Sequence, residues 1–156
     1  MTADYILKVC EACKGTREGT QQHQTILDIY NTQTWPGKRA YKIGRNDPWC
    51  AAFVSAVFLA AGAKDLIPLE CSCFMMKHLG DERGMLRDPK RYIPKPGDII
   101  FYKWAGKNVV GHVGIVKSVK GSSMQIYEGN FQDKVGIRQI KLSYKYIDSY
   151  LEVKYG

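Results

Sequence analysis

Residues Asn46 to Gly62 read NDPWCAAFVSAVFLAAG. The stretch holds a helix start, a helix stop and an apolar run between them, and the rest of the chain is read outward from it. Asp47 is a residue type that caps helices, and Pro48 suits the first helical position. A helix is therefore predicted with Trp49 second and Cys50 third. Gly62 can end it in the left-handed conformation. From Ala51 to Ala61 the run is apolar on all sides, so the helix is expected to be buried along its length. Cys50 stands at its mouth. Unpaired amides and the helix dipole favour negative charge there, and a thiol loses its proton more readily than a free one near ~8.5. The same amides can stabilise an oxyanion. Two readings fit the segment: a small packed thiol, or a nucleophile.

The 156 residues suggest one domain, 1–156, with enough chain to bury a core without staples. The formal net charge of +8, from 23 Lys and Arg against 15 Asp and Glu, favours an anionic partner. The basic residues are scattered, with no block of five or six and no stripe of interleaved aromatics, so nucleic acid is not the expected partner. Met1 to Tyr5 lacks the basic and apolar regions of a signal peptide. The longest apolar run, Ala51 to Ala61, is too short to span a membrane. The expectation is synthesis in the cytoplasm without membrane insertion, so that action outside the cell would require release.

Five cysteines, an odd count, argue against a disulfide framework. Cys10-x-x-Cys13 and Cys71-x-Cys73 supply four thiols that zinc would accept. However, Cys10 and Cys13 fall in helical phase with Tyr5, Ile6 and Val9, which puts them on a buried face. Neither a GxGxxG fingerprint nor a P-loop is present. No metal and no cofactor are expected.

Helical patterns cover Asp4 to Lys14 and Gln22 to Tyr30. Ser72 can cap a short helix reaching Leu79. Gly80 to Lys95 reads as loop. Beyond Pro96-Gly97 the texture changes to strands: Asp98 to Tyr102, His112 to Val119, Met124 to Glu128, Val135 to Ile140 and Tyr146 to Val153. Helices first and an antiparallel sheet second is an α+β arrangement.

A cysteine nucleophile needs a base. His23 lies in a polar run, Gln21 to Gln24, read as a solvated helix face. His78 sits near a helix end. His112 opens an apolar strand between Gly111 and Gly114, where small neighbours leave room for close approach. A hairpin turning near Gly121 brings His112 to Glu128 and Asn130, either of which can hold one ring nitrogen. Residues share a sheet face only when their separation across the ladder has the right parity. His112 faces the same way as Glu128 and Asn130 only if paired positions sum to an even number. That requires an odd turn or a bulge between Val119 and Met124, because a two-residue Gly121-Ser122 turn gives the wrong parity. The His112 face is further expected to be the one that meets the mouth of the cysteine helix.

Taken together, DPWCAAFVSAVFLAAG (Asp47–Gly62), PKPGDIIFY (Pro94–Tyr102), GHVGIV (Gly111–Val116) and IYEGN (Ile126–Asn130) resemble, in order, the pattern of a CHAP domain. This is the cysteine, histidine-dependent amidohydrolase/peptidase family of the NlpC-type papain-like clan. The resemblance spans about residues 15–153 and is similar to small phage and prophage proteins of Gram-positive bacteria. It implies a papain-like α+β fold with the nucleophile helix packed on the antiparallel sheet. It also implies Cys50 as nucleophile, His112 as base, Glu128 as orienting acid and Asn130 as a fourth polar member, with Trp49 and Asp47 near the substrate. The implied activity is cleavage of a peptidoglycan amide, either N-acetylmuramoyl-L-alanine or a bond of the peptide stem or cross-bridge, by a monomer. Other thiol chemistry on the same fold (acyl transfer, deamidation) and a non-catalytic wall-binding module are the alternatives. Calcium-binding members carry an Asp-x-Asp loop before the cysteine. Here Tyr41 to Asp47 offers one carboxylate, which does not support calcium.

Overall fold

The structure, a computed structural model, describes residues 1–156. Four helices precede or flank a six-stranded sheet: α1 (Ala3–Cys13), α2 (Gln21–Thr32), α3 (Cys50–Ala60) and α4 (Cys73–Glu82), then β1 (Leu86–Arg87), β2 (Ile99–Tyr102), β3 (His112–Lys120), β4 (Ser123–Phe131), β5 (Lys134–Lys141) and β6 (Ile147–Leu151). The strands order as β1-β6-β2-β3-β4-β5, with every neighbouring pair antiparallel. This is the α+β arrangement expected. The one added element is β1, inside the stretch read as loop. It has two residues, too few for any side-chain period to register in the sequence.

Hydroxyl caps start three of the helices. Thr2 accepts from the Tyr5 amide, Thr20 from the His23 amide and Ser72 from the Met75 amide, each satisfying a donor with no partner in its own helix. The helix α3 has no side-chain cap. Ten of its eleven residues, Cys50 to Leu59, are buried, so packing rather than propensity holds it. It stops as predicted. Gly62 takes φ +72°, its amide bonds Leu59 O, and the Ala63 amide bonds Phe58 O, the two reaches of a Schellman motif.

The sheet buries both faces with different partners. Ile99, Phe101, Val113, Ile115, Tyr127 and Leu151 pack with the helices in the main core. Their alternates Ile100, Tyr102, Val116, Ile126 and Tyr150 form a second cluster, covered by Tyr92, Trp104 and Tyr144. Period-two alternation makes this division. The sheet meets α3 closely at Gly129, where a β-carbon would stand 2.5 Å from Phe53 Cβ and 3.2 Å from Trp49 Cε3.

Candidate active site

The sequence predicts Asp47 as cap and Cys50 as the third helical residue. The structure moves the start by two. Trp49 is the cap residue, Cys50 is the first helical residue, and the first helical bond runs from the Phe53 amide to Trp49 O. Asp47 is drawn elsewhere: its Oδ2 accepts from the Gly44 amide and the Tyr41 hydroxyl, both at 2.8 Å. Those two donors hold its carboxyl below the usual range. It still lines the cleft in front of Cys50, along with Arg39, Tyr41, Cys71, Cys73 and Phe74, around a volume of about 370 Å³. Trp49 does not reach this cleft. It is fully buried, donates its indole N–H to Glu18 at 2.8 Å, and packs against His23 at 4.6 Å. His23 is therefore no solvated residue. It is buried, with Nδ1 accepting from the Gly19 amide, because the Trp49 indole covers the helix face that reads as polar.

The hairpin meets the parity condition, but by another route. The turn is the two-residue Gly121-Ser122, with Gly121 at φ +59°. Pairs near the turn sum to an odd number, as in Lys120 with Ser123. Past Lys117 the register shifts, and Val116 pairs with Ile126 and Ile115 with Tyr127. A bulge at Lys117, outside the Val119–Met124 window, thus restores even parity. His112 and Glu128 then share a face, and His112 Nε2 meets Glu128 Oε1 at 2.8 Å.

That face is not the one packed on α3. His112 pairs with Tyr102, a member of the second cluster, whereas its neighbours in the ladder, Phe101 and Val113, belong to the helix side. The expectation that the His112 face meets the helix is corrected accordingly. As the first residue of β3, His112 stands at the end of the sheet, where Gly111 beside it lines the same cleft as Cys50, and the two groups are close enough for the charge of each to shift the other. With Nε2 engaged by Glu128, Nδ1 is the nitrogen left for the thiol. Asn130 departs from the pattern. It takes φ +57° in a second bulge between Glu128 and Phe131, which breaks the alternation, so parity no longer assigns it to Glu128's face. Glu128 alone takes the ring nitrogen.

Two further residues complete the site. Arg138, on β5, donates Nε to both oxygens of Glu128 at 2.9 Å. Its guanidinium lies over the rings of Phe131, Tyr102 and Trp104 at 4.8, 5.3 and 5.4 Å. Cys73, the first residue of α4, puts its sulfur 3.4 Å from Cys50 Sγ. The hairpin alternation could have pointed to Arg138, since it pairs with Ile126, two residues from Glu128. Nothing in the sequence joins α4 to α3 at this point.

The electrostatics follow from these contacts. The Cys73 hydrogen bond is the largest influence on Cys50. Burial opposes it, and the His112 hydrogen bond and charge add to it, leaving the Cys50 thiol well below its ordinary range. Cys73 is correspondingly pushed up, first by that shared bond and then by burial. Burial pushes the His112 imidazole down, but its bonds to Cys50 and Glu128 and their charges outweigh this and raise it to about 9. The arrangement suits a thiolate beside an imidazolium. No group of three or more His, Cys, Asp or Glu is arranged to hold a metal ion.

A search of curated proteins finds no match. Among solved structures, the crystal structure of Ly7917 aligns with TM-score 0.56 and 15% identity, over 98% of this chain and 63% of that one. The structure of Ly7917 with the hydrolyzing product of MDP aligns with the same score and identity, over 97% of this chain and 63% of that one. At this identity the likeness is one of fold, and the chain spans less than two thirds of the length of these neighbours. The family model of the CHAP domain matches residues 28–130, more than half of the chain. The match takes in the helix that begins at Cys50, the strand that begins at His112, and Glu128 beside it, and the chain belongs to the CHAP domain family.

Proposed function

We propose that the chain hydrolyses an amide bond of peptidoglycan with Cys50 as nucleophile, His112 as acid and base, and Glu128 as the residue that orients the ring. The observation that carries this reading is the buried His112–Glu128 pair, bonded at 2.8 Å, at the sheet end whose Gly111 shares an open cleft with Cys50. His112 holds the proton of Cys50 on Nδ1. The thiolate attacks the amide carbonyl, and the oxyanion that forms is met by free amides at the start of α3, that of Cys50 foremost. His112 then gives its proton to the leaving amine. Water, deprotonated by the same ring, releases the acyl group and restores the thiol. The CHAP family and a fold neighbour crystallised with the hydrolyzing product of MDP support the substrate class. The net charge of +8 suits an anionic wall.

The test is digestion of purified Gram-positive peptidoglycan by the wild type and by Cys50→Ala, with the new ends identified by mass spectrometry. New amine and carboxyl ends in equal amount are expected from the wild type alone. The pair of ends also names the bond, at the lactyl group or within the peptide. Equal cleavage by Cys50→Ala, or new reducing sugar ends in place of amines, would refute the proposal.

A further inference from the structure

Cys73 neither attacks nor carries a proton in the mechanism proposed above, yet its sulfur lies 3.4 Å from the Cys50 thiol. Its position is built rather than incidental. Ser72 caps α4 and sets Cys73 at the first helical position. The segment before it is clamped by the buried Glu70, whose Oε1 accepts from the Cys71 and Ser72 amides at 3.0 and 3.2 Å. Arg39 closes on that carboxylate with two bonds of 2.6 and 2.7 Å. Ser55 of α3 bonds both the amide and the carbonyl of Glu70. Residues of α3 and of the connection thus fix the two thiols against each other. Both line the open cleft, so a small solute reaches them. Cys10 is buried in α1 and Cys13 is further along the same helix, while Cys71 also lines the cleft but its sulfur makes no hydrogen-bond contact with Cys50.

We propose that Cys50 and Cys73 are a modification site, closing into a reversible disulfide when a peroxide oxidises Cys50. The Cys50 thiolate attacks a peroxide oxygen. The S–O bond forms, the O–O bond breaks, and the hydroxide released leaves as water with the His112 proton. Cys50 is then a sulfenic acid. The Cys73 sulfur attacks it, the S–S bond forms, the S–O bond breaks, and water departs with the Cys73 proton. Two thiols are oxidised and one peroxide becomes two waters. The sulfurs need to approach by about 1.4 Å to reach the ~2.05 Å of a disulfide. Loss of the Cys50 negative charge at the sulfenic stage also removes part of what keeps the Cys73 thiol protonated. A second thiol here spares the nucleophile from sulfinic acid, the step that thiols do not reverse.

The test treats the purified full chain with hydrogen peroxide, quenches it with an alkylating agent, and maps the peptides. Lysis is measured before and after dithiothreitol. The expected product is one cross-link joining the Cys50 and Cys73 peptides, with lysis lost and then restored by dithiothreitol. Cys13→Ser, in α1 and away from the cleft, should behave as the wild type. Cys73→Ser should form no cross-link, carry sulfinic acid at Cys50, and stay oxidised in dithiothreitol. A cross-link from Cys50 to Cys71, or sulfinic acid at Cys50 in the wild type with no cross-link, would overturn the proposal. The cross-link is read without substrate. A protein that forms it but lyses no wall when reduced would refute the function proposed above and leave the disulfide standing.

Discussion

Gly129→Ala tests whether the close approach of α3 to the sheet sets the position of the nucleophile. The new methyl would stand 2.5 Å from Phe53 Cβ and 2.9 Å from Phe53 Cγ, where carbons rest at about 3.5–4.0 Å. Phe53 is fully buried and one turn from Cys50, and its Cβ cannot swing aside as a side-chain tip can. The helix or the strand must therefore give way by roughly 1 Å. Overpacking of this kind costs about 1–3 kcal/mol, or roughly 2–12 °C in melting temperature for a domain of this size. A misplacement near 1 Å at reacting atoms costs about 100-fold in rate. Melting is followed by circular dichroism, turnover by release of amines from purified wall, and thiolate character by the rate of iodoacetamide labelling at Cys50. Gly80→Ala is the control. Its methyl would stand 2.5 Å from Leu151 Cδ2, the end of a flexible side chain away from the cleft, so it should lower stability while turnover per folded molecule holds. If Gly129→Ala melts lower yet turns over and labels within twofold of the wild type, the gap at Gly129 does not position Cys50 and the argument fails.

His112→Ala should remove about 10²–10⁴-fold of turnover, the usual range for a general base, and Glu128→Gln less, because an amide oxygen can still take the ring N–H; equal losses in wall digestion would give Glu128 a larger part than orientation. With His112 raised to about 9, turnover should fall as pH rises through that value, since the imidazolium loses the proton that the leaving amine needs. The acid limb should lie well below the ordinary thiol range, where Cys50 takes up a proton. Glu128→Gln removes a charge that raises His112, so its basic limb should move to lower pH, and an unmoved limb in the pH profile would contradict the assignment. Turnover should survive EDTA; loss reversed by calcium or zinc would show that a metal is required.

Much of this was legible because local rules and tertiary packing agreed. The start of β2 behind Pro96-Gly97, the stop at Gly62 and the Ser72 cap each follow from one or two residues. The start of α3 did not follow, because Asp47 has a competing use: it closes the Tyr41–Asp47 loop through Gly44 and Tyr41, and a carboxylate so engaged cannot also cap a helix. The burial of His23 is hidden from the sequence for a related reason. Its sequence neighbours are polar, but its burial comes from Trp49, 26 residues away in the chain. Parity requires an extra residue in the hairpin but is satisfied by a bulge at any point along it. Lys117 carries no mark of the extra residue, since any side chain can point outward from a bulged strand.

Arg138 and Cys73 bear on how the thiolate and imidazolium of the proposed mechanism would be tolerated in a buried site. Glu128 has no exposed surface and His112 almost none. Three such charges in a row would carry a net negative charge into an apolar site, at a cost of several kcal/mol per uncompensated ion. In the proposed mechanism Arg138, bonded to Glu128 at 2.9 Å, supplies the fourth charge that makes a row of thiolate, imidazolium, carboxylate and guanidinium alternate in sign and sum to zero. The rings of Phe131, Tyr102 and Trp104 present their faces to that last cation, which keeps it stable at the edge of the second cluster. At the other end the Cys73 sulfur meets Cys50 Sγ at 3.4 Å, a contact that adds no fixed charge. The bulge at Lys117 is what makes the middle of the row possible. Without it, with β3 held in place, Tyr127 would turn away from α3 and Glu128 would turn toward it beside Val113, so that the apolar core would hold a carboxylate while His112 stood without its partner.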